Sequence, residues 1–587
     1  MPKGTEVIDV ALHRAPADLV IRNCTLVNVY SRELVPNTTI AVKGSRIAYV
    51  GDLEPQVGSC TVVVDADQFY ALPGLIDGHI HIESTTLDPV EFARAVLPRG
   101  TTAVMIDPHE ITNVLGVEGV RLMLARTESL PLKVYVQIPS CVPSTKGLET
   151  AGAKIGPKEV KTMLKLPRIV GLAEVMNYPG VLAGDRELLS MIKETEAARK
   201  VVEGHAPGLG GRQLNGYLSA RISGDHESTT EQELVEKLRL GCVVEIREGS
   251  TSHNLPTLVR ALRSHKLSSR RTVLVSDDRH ANDLMKLGHM DYNVRRTIEE
   301  GIEPIDAITM ATLNTAEHFR VDTDIGGIAP GKRADILLTR NLARMKIETV
   351  VADGKIVARE GLLTTKIVSP RIPQRALRTV HLKRQLEPRD FVVRSDVEGG
   401  TTRVVVIDTT GEVLTKKSCE ELPVRDSQIQ CDFNRDILKV AVVERHKRTG
   451  NIGHGFVRGF GLKSGAISSS VAHDSHNISV VGTNDSDMVA AVNEVARIQG
   501  GFVAMEDGKV VAELALPFAG LMSTCPIGEV NRAEEQLAEA ARNLGCVFPS
   551  PFMVMSFLSL AVIPEIRLTD KGLVDVSAAR FTSISCE

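Results

Sequence analysis

The chain has 587 residues, 43% of them hydrophobic and 24% charged, and its 69 lysines and arginines against 73 aspartates and glutamates give a net charge of −4. A balance this close to neutral removes the electrostatic case for nucleic acid or an anionic membrane surface. No run reaches the ~18–20 apolar residues of a membrane-spanning helix, and with no tryptophan and 3% aromatics there is little material for a base-stacking platform. Length alone predicts about four domains, or three if one is a barrel of roughly 250 residues. The opening MPKGTEVIDVALHR lacks the apolar core of a secretory leader. Nine cysteines scatter from Cys24 to Cys586 without a C-x-x-C, which predicts reduced thiols in a cytoplasmic protein and no disulfide frame.

Taken in chain order, residues 18–70 alternate in the strand period, with turns at Gly44-Ser45 and Gly51-Asp52. From Leu72 the texture changes to short apolar runs separated by amphipathic stretches. The runs are 71–81, 101–107, 133–140, 169–176, 200–206, 220–227, 242–249 and 271–278. Between and after them, 231–241 and 304–319 read as helices. Eight strand-then-helix units over about 250 residues match a (β/α)8 barrel. Residues 334–368 return to strands, and the simplest architecture completes one small β domain from both flanks of the barrel. The expected fold is α/β. Residues 1–70 and 326–370 form a composite β-sandwich domain, 71–325 the barrel, and 385–587 a C-terminal α/β domain after a basic, proline-bearing linker.

The chemistry gathers at the ends of the putative barrel strands, the face where barrels build active sites. Strand one ends in His79-Ile-His81, whose alternate side chains point the same way. Strand four ends with Glu174, strand five with His205, strand six with His226 and strand eight with Asp277-Asp278, while Asp107-Pro-His109-Glu110 follows strand two. Any one of these alone is more often a satisfied polar residue. Four histidines and two carboxylates in barrel order are hard to explain as packing and point to metal. Six donors exceed the three of a catalytic zinc site, so two divalent ions are expected, with Glu174 able to bridge them. Nitrogen and oxygen donors without thiolate fit Mn²⁺, Fe²⁺ or Zn²⁺, and coordination would make a hydroxide available at neutral pH.

PGLIDGHIHIEST on the first strand, the strand ends at His205, His226 and Asp277, and IAPGKRADILL (328–338) resemble the amidohydrolase superfamily. DPHEITNVLG (107–116), GLAEVMNYPGV (171–181), GHAPGLGG (204–211), HES (226–228), REGS (247–250), SDDRH (276–280) and GFGLKSGAISSSVAHDSHNI (459–478) resemble the adenine deaminase family more narrowly. Many superfamily members carry a carboxylated lysine where this chain has Glu174. The resemblance covers nearly the whole chain and implies hydrolysis of adenine to hypoxanthine and ammonia by a metal-activated hydroxide. It implies that His79 and His81 hold one ion, His205 and His226 the other, with Glu174 bridging and Asp277 both ligand and general base. Mn²⁺ or Fe²⁺ would lead Zn²⁺, and a cytoplasmic homodimer or larger assembly working in purine salvage is implied too.

The weaker signals are expected around the barrel mouth. Glu83, His109 and Glu110 read equally as purine contacts or loop caps. Asp278 reads as a helix N-cap or as a partner orienting a ligand histidine, and Arg247-Glu248 as a substrate contact or, more readily, a rim ion pair. GHAPGLGG lacks the Lys-Ser/Thr of a phosphate loop. His473, Asp474 and His476 in the tail read as an extra metal or lid site, or as a hydrogen-bonded turn. Zinc nucleobase deaminases pair H-x-E with a later P-C-x-x-C; His81-Ile-Glu83 meets only the first half. The alternatives to adenine are a cyclic amide, another aminopurine, or a non-catalytic metal-binding relic.

Overall fold

Eight parallel strands close around the centre of the protein in sequential order: Leu75–Ile80, Thr101–Ile106, Lys133–Pro139, Ile169–Val175, Val201–Gly204, Gly224–Asp225, Val243–Arg247 and Thr272–Val275. The computed structural model describes residues 4–409 and 414–586. Almost every residue of these strands is buried on both faces, which is why they appear in the sequence as continuous apolar runs. Amphipathic helices cover the barrel. Glu231–Arg239 starts on a Thr230/Glu233 capping box, and Leu255–Ser264 buries Leu258, Val259 and Leu262. The seam between the first and eighth strands closes just past their ends, where the Asp277 amide donates to the His79 carbonyl at 2.9 Å and the His81 amide to the Asp277 carbonyl at 3.3 Å. Gly78 makes the seam possible, because a Cβ there would lie 2.6 Å from Val273 Cγ1.

The single helix expected over 304–319 is instead two, Pro304–Met310 and Leu313–His318. The carbonyl of Ala311 accepts from the Ile76 amide of the first barrel strand at 2.8 Å, so tertiary bonding replaces helix continuation at that point.

Nine strands from both sides of the barrel make one mixed sheet. Its middle strand Tyr70–Pro73 pairs parallel with Ala17–Asn28 and antiparallel with Ile336–Thr339, then runs into the barrel. This sheet has its own core of Leu19, Ile21, Cys24, Ile40, Ala71, Ile336 and Val351. A second nine-stranded sheet, from Gly400–Thr409 to Lys509–Ala515, carries the helices Asp485–Arg497 and Ile527–Asn543. This C-terminal layer sits on the C-terminal face of the barrel. The Ser523 amide donates to the Thr86 carbonyl at 2.7 Å, and Asn477 Nδ2 to the Thr150 carbonyl at 2.9 Å. Cys419 and Cys586 are joined as a disulfide, against the expectation that all nine cysteines are reduced. The partners stand 167 residues apart and meet because the chain end pairs with the strand Gly400–Thr409 at Val404, beside Cys419 on the adjoining strand Thr415–Arg425, a contact no local spacing encodes. No described helix is long and apolar enough to cross a membrane.

Candidate metal centre at the barrel mouth

The alternation of side chains along each strand decides what reaches the mouth. Asp77, His79 and His81 share one face of strand one, as do Glu203 and His205 around strand five, and Glu245 and Arg247 on strand seven. The structure brings the six expected donors together in two groups. His79, His81 and Asp277 form one: His79 Nε2 and His81 Nε2 are 3.1 Å apart, and Asp277 Oδ1 lies 3.6 Å and 3.2 Å from them. Glu174, His205 and His226 form the other, with Glu174 Oε2 at 2.5 Å from His205 Nδ1 and 3.0 Å from His226 Nε2. Glu174 Oε1 faces the first group, 3.6 Å from His81 Nε2. Its two oxygens therefore address the two groups separately.

The donor set fits divalent cations. Two imidazole nitrogens face each other across 3.1 Å, and His79 Nδ1 and His226 Nδ1 have no hydrogen-bond partner in the described structure. His81 is turned by its other nitrogen, which meets the Asp107 carbonyl at 2.8 Å. The acids are held ionised. Burial raises the Asp277 carboxyl, but Arg247, His81 and His226 outweigh it and keep it well below the usual range. Burial likewise opposes Glu174, and the charges of His205 and His226 bring it well below its ordinary value.

Tyr217 fixes the junction between the two carboxylate and histidine strands. Its hydroxyl donates to the Val175 carbonyl at 2.7 Å and accepts from the His205 amide at 3.1 Å. Asp225 does the same for the next pair, accepting from the Ala206 amide at 2.8 Å and the Glu227 amide at 3.1 Å. Lys237, fully buried, ties Asp225 down at 2.5 Å.

The weaker expectations divide. His109 stands beside the centre with Nδ1 3.4 Å from Glu174 Oε1 and 3.4 Å from Asp107 Oδ2. Asp107 thus adds a carboxylate to the six expected donors. Glu83 and Glu110 line a cavity of about 180 Å³ whose other wall is the C-terminal domain, including His473, Phe502, Leu521 and Phe552. Burial raises Glu83, and pushes Glu110 up to about 8. Asp278 is no helix N-cap, because the following helix begins at Ala281 behind His280; its carboxylate accepts from Ser84 Oγ instead. Arg247 is no rim residue either. It is buried between Glu227 and Asp277, with Nη1 2.7 Å from Asp277 Oδ2, and Glu248 is buried and pairs with His253. The glycine loop 204–211 takes no phosphate, since its amides at Gly208 and Gly211 donate to Glu233 and Glu236 at 2.7 Å each. In the tail, His473 and Asp474 reach the mouth beside His109, whereas His476 belongs to the turn itself, its Nδ1 accepting from the Ala472 amide at 3.3 Å.

A parallel barrel with histidines and carboxylates at its C-terminal mouth is the architecture of the amidohydrolases, and the model for the Amidohydrolase family matches residues 70–357. The model for the Adenine deaminase C-terminal domain matches residues 412–580. The adenine deaminase of Moorella thermoacetica is 47% identical over 572 residues, covering 97% of this chain and 96% of the relative. That of Clostridium botulinum (strain 657 / Type Ba4) is 45% identical over 575 residues with the same coverage. Adenine deaminase 3 of Rhizobium meliloti is 43% identical over 586 residues, 98% of each chain. The chain belongs to the adenine deaminase family.

Proposed function

We propose that the chain hydrolyses adenine to hypoxanthine and ammonia at the mouth of its barrel. The observation that carries the reading is full-length identity of 43–47% to adenine deaminases, together with both donor groups intact around Glu174. His79, His81 and Asp277 would hold one divalent cation and His205 and His226 a second, with Glu174 shared; Mn²⁺ or Fe²⁺ fits the nitrogen and oxygen donors, and Zn²⁺ as an alternative. Such ions, when bound, lower the pKa of water and so supply a nucleophile at neutral pH.

The chain's own residues do the rest. Asp277, ionised and 3.2 Å from His81 Nε2, accepts a proton at a carboxylate oxygen as water adds to C6. It passes that proton to the ring nitrogen, then takes the second from the new C6 hydroxyl as the carbonyl forms and hands it to the departing amine, so that adenine and water become hypoxanthine and ammonia. Glu110, largely protonated near pH 7 because burial lifts it to about 8, can donate a hydrogen bond to a ring nitrogen, and Glu83 can accept one from the exocyclic amine. Phe502, Leu521 and Phe552 give the cavity an apolar wall opposite the carboxylates, suited to a flat purine ring.

The same reading takes a cytoplasmic protein that assembles as a homodimer or larger. The edge strand Val57–Asp65, with Val57, Val62 and Val63 exposed, offers unpaired backbone to a second copy.

The decisive experiment is ammonia release from adenine, other 6-aminopurines and cyclic amides, on metal-stripped protein reloaded with Mn²⁺, Fe²⁺ or Zn²⁺. Turnover of adenine that follows metal content is expected. Hydrolysis of a cyclic amide with no action on adenine would overturn the substrate. Asp277→Asn should abolish at least 10²-fold of turnover, and near-normal turnover with metal retained would refute the proton role of Asp277.

A further inference from the structure

His109 presents two nitrogens to two different neighbourhoods. Its Nδ1 faces Asp107 and Glu174, while its Nε2 lies 3.6 Å from Glu110 Oε1 and 3.9 Å from Asp474 Oδ1. Asp474 comes from the C-terminal domain, as does His473, whose Nδ1 lies 3.8 Å from the same Asp474 oxygen. We propose that His109, His473 and Asp474 form a third divalent-cation site, separate from the two groups around Glu174 and built across the boundary between barrel and C-terminal domain.

Three observations carry it. The potential ligand atoms of these three residues lie within 4.8 Å of one another, and all three side chains are buried. Donors held at ~2.0–2.2 Å by a tetrahedral ion stand roughly 3.4 Å apart, so spacings of 3.8 Å and 3.9 Å are too long for hydrogen bonds and close to what an ion would set. Second, the carboxylate is unspent. Among the described residues no hydrogen bond reaches the Asp474 carboxylate, whose Oδ2 is buried without a partner. Leaving a buried carboxylate oxygen unpaired is costly, and no donor of the surrounding turn is spent on it. Third, His473 is already oriented: its ring stacks on Phe557 with centroids 5.3 Å apart.

Two imidazoles and a carboxylate suit Mn²⁺, Fe²⁺ or Zn²⁺. Three protein donors leave at least one position open, and His473 also lines the cavity with Glu83 and Glu110, so that position is accessible to water or to a ligand in the cavity. The site is independent of which reaction the mouth performs. Its structural consequence is that an ion there fastens the C-terminal domain over the barrel.

The test uses full-length protein, stripped of metal and equilibrated with Mn²⁺ alone, with ions counted per chain and located by anomalous scattering in crystals. Three ions are expected in the wild type, with an anomalous peak between His109, His473 and Asp474. Asp474→Asn should weaken binding of one ion at least tenfold and remove that peak, leaving the two beside Glu174. Two peaks flanking Glu174 and none at His473 would overturn the third site while leaving the two-ion reading intact. A peak at His473 with none at Glu174 would support the third site and sink the two-ion reading. Because the wild-type map decides by itself, failure of the variant to fold would not obscure the result.

Discussion

Replacing Lys237 with methionine should loosen the part of the barrel that carries His205 and His226 by about 3 kcal/mol, at the lower end of the ~3–5 kcal/mol for breaking a buried pair. Lys237 is fully buried, and its ammonium donates to Asp225 at 2.5 Å, to Ser228 at 3.1 Å and to the Ala206 carbonyl at 3.4 Å. The substitution removes these bonds and strands a buried carboxylate. Asp225 keeps amide donors from Ala206 and Glu227, which is why the lower end is expected. At 1.4 kcal/mol per decade, protection of the amides in 201–247 should fall roughly a hundredfold in hydrogen exchange. The pH dependence follows from the pair. Burial raises the Asp225 carboxyl, but Lys237 more than offsets it and the net folded value is depressed. The stabilisation is therefore complete above the unfolded carboxylate value of ~3.9 and is lost as pH falls through the folded value. Wild type and variant should differ at pH 7 and converge in acid. The double variant K237M/D225N removes both charges and should be less destabilised than the sum of the singles. Unchanged protection in K237M, or strict additivity in the cycle, would refute the argument that this pair holds the two histidine loops.

Two other substitutions separate positioning from stability. Tyr217→Phe strands the Val175 carbonyl and the His205 amide, so it should cost ~1–3 kcal/mol and weaken metal retention, checked by chelator challenge; an unchanged release rate would show that the hydroxyl does not position His205. Glu149 is buried with its carboxyl raised to about 7, chiefly by burial, so its contribution is full below the unfolded value of ~4.3 and is lost as pH rises through 7. Glu149→Gln should therefore gain stability over wild type from about pH 4 to 7 and hold that gain above it, which thermal melts at pH 5 and 8 would reveal; equal gains at both would contradict the shift.

Much of this was legible because fully buried parallel strands write themselves as apolar runs. The runs at 101–107 and 169–176 appear as strands Thr101–Ile106 and Ile169–Val175. The run at 220–227 shrinks to Gly224–Asp225, since Ser223 bonds through its side chain to Glu203 on the neighbouring strand and the Glu227 amide turns back to the Asp225 carboxylate. Residues at strand ends could be found by position alone. What could not be read was the sign of burial for a charged letter. Arg247 looked like a rim cation and is buried against Asp277, and Glu203 and Glu245 pass unremarked in the sequence although both are fully buried inside the barrel. Asp278 was misplaced because its partner Ser84 is 194 residues away, a distance that local capping rules do not cover.

The barrel seam shows why strand-end position worked so well for the last donor. Asp277 sits in the left-handed region at φ 58°, where a residue other than glycine carries strain of roughly 1–3 kcal/mol. Its amide and carbonyl are both bonded to the backbone of strand one, at His79 and His81. The residue that closes the barrel is therefore the one that carries its carboxylate to the two histidines, and the backbone contact sets the side-chain distances of 3.2 Å and 3.6 Å. Backbone preference alone would place glycine here. Aspartate is among the few other residues that tolerate this conformation, and it alone among those also brings a negative donor. Barrel closure and assembly of the first donor group are thus one structural event, so a change that opens the seam should release metal before it unfolds the barrel.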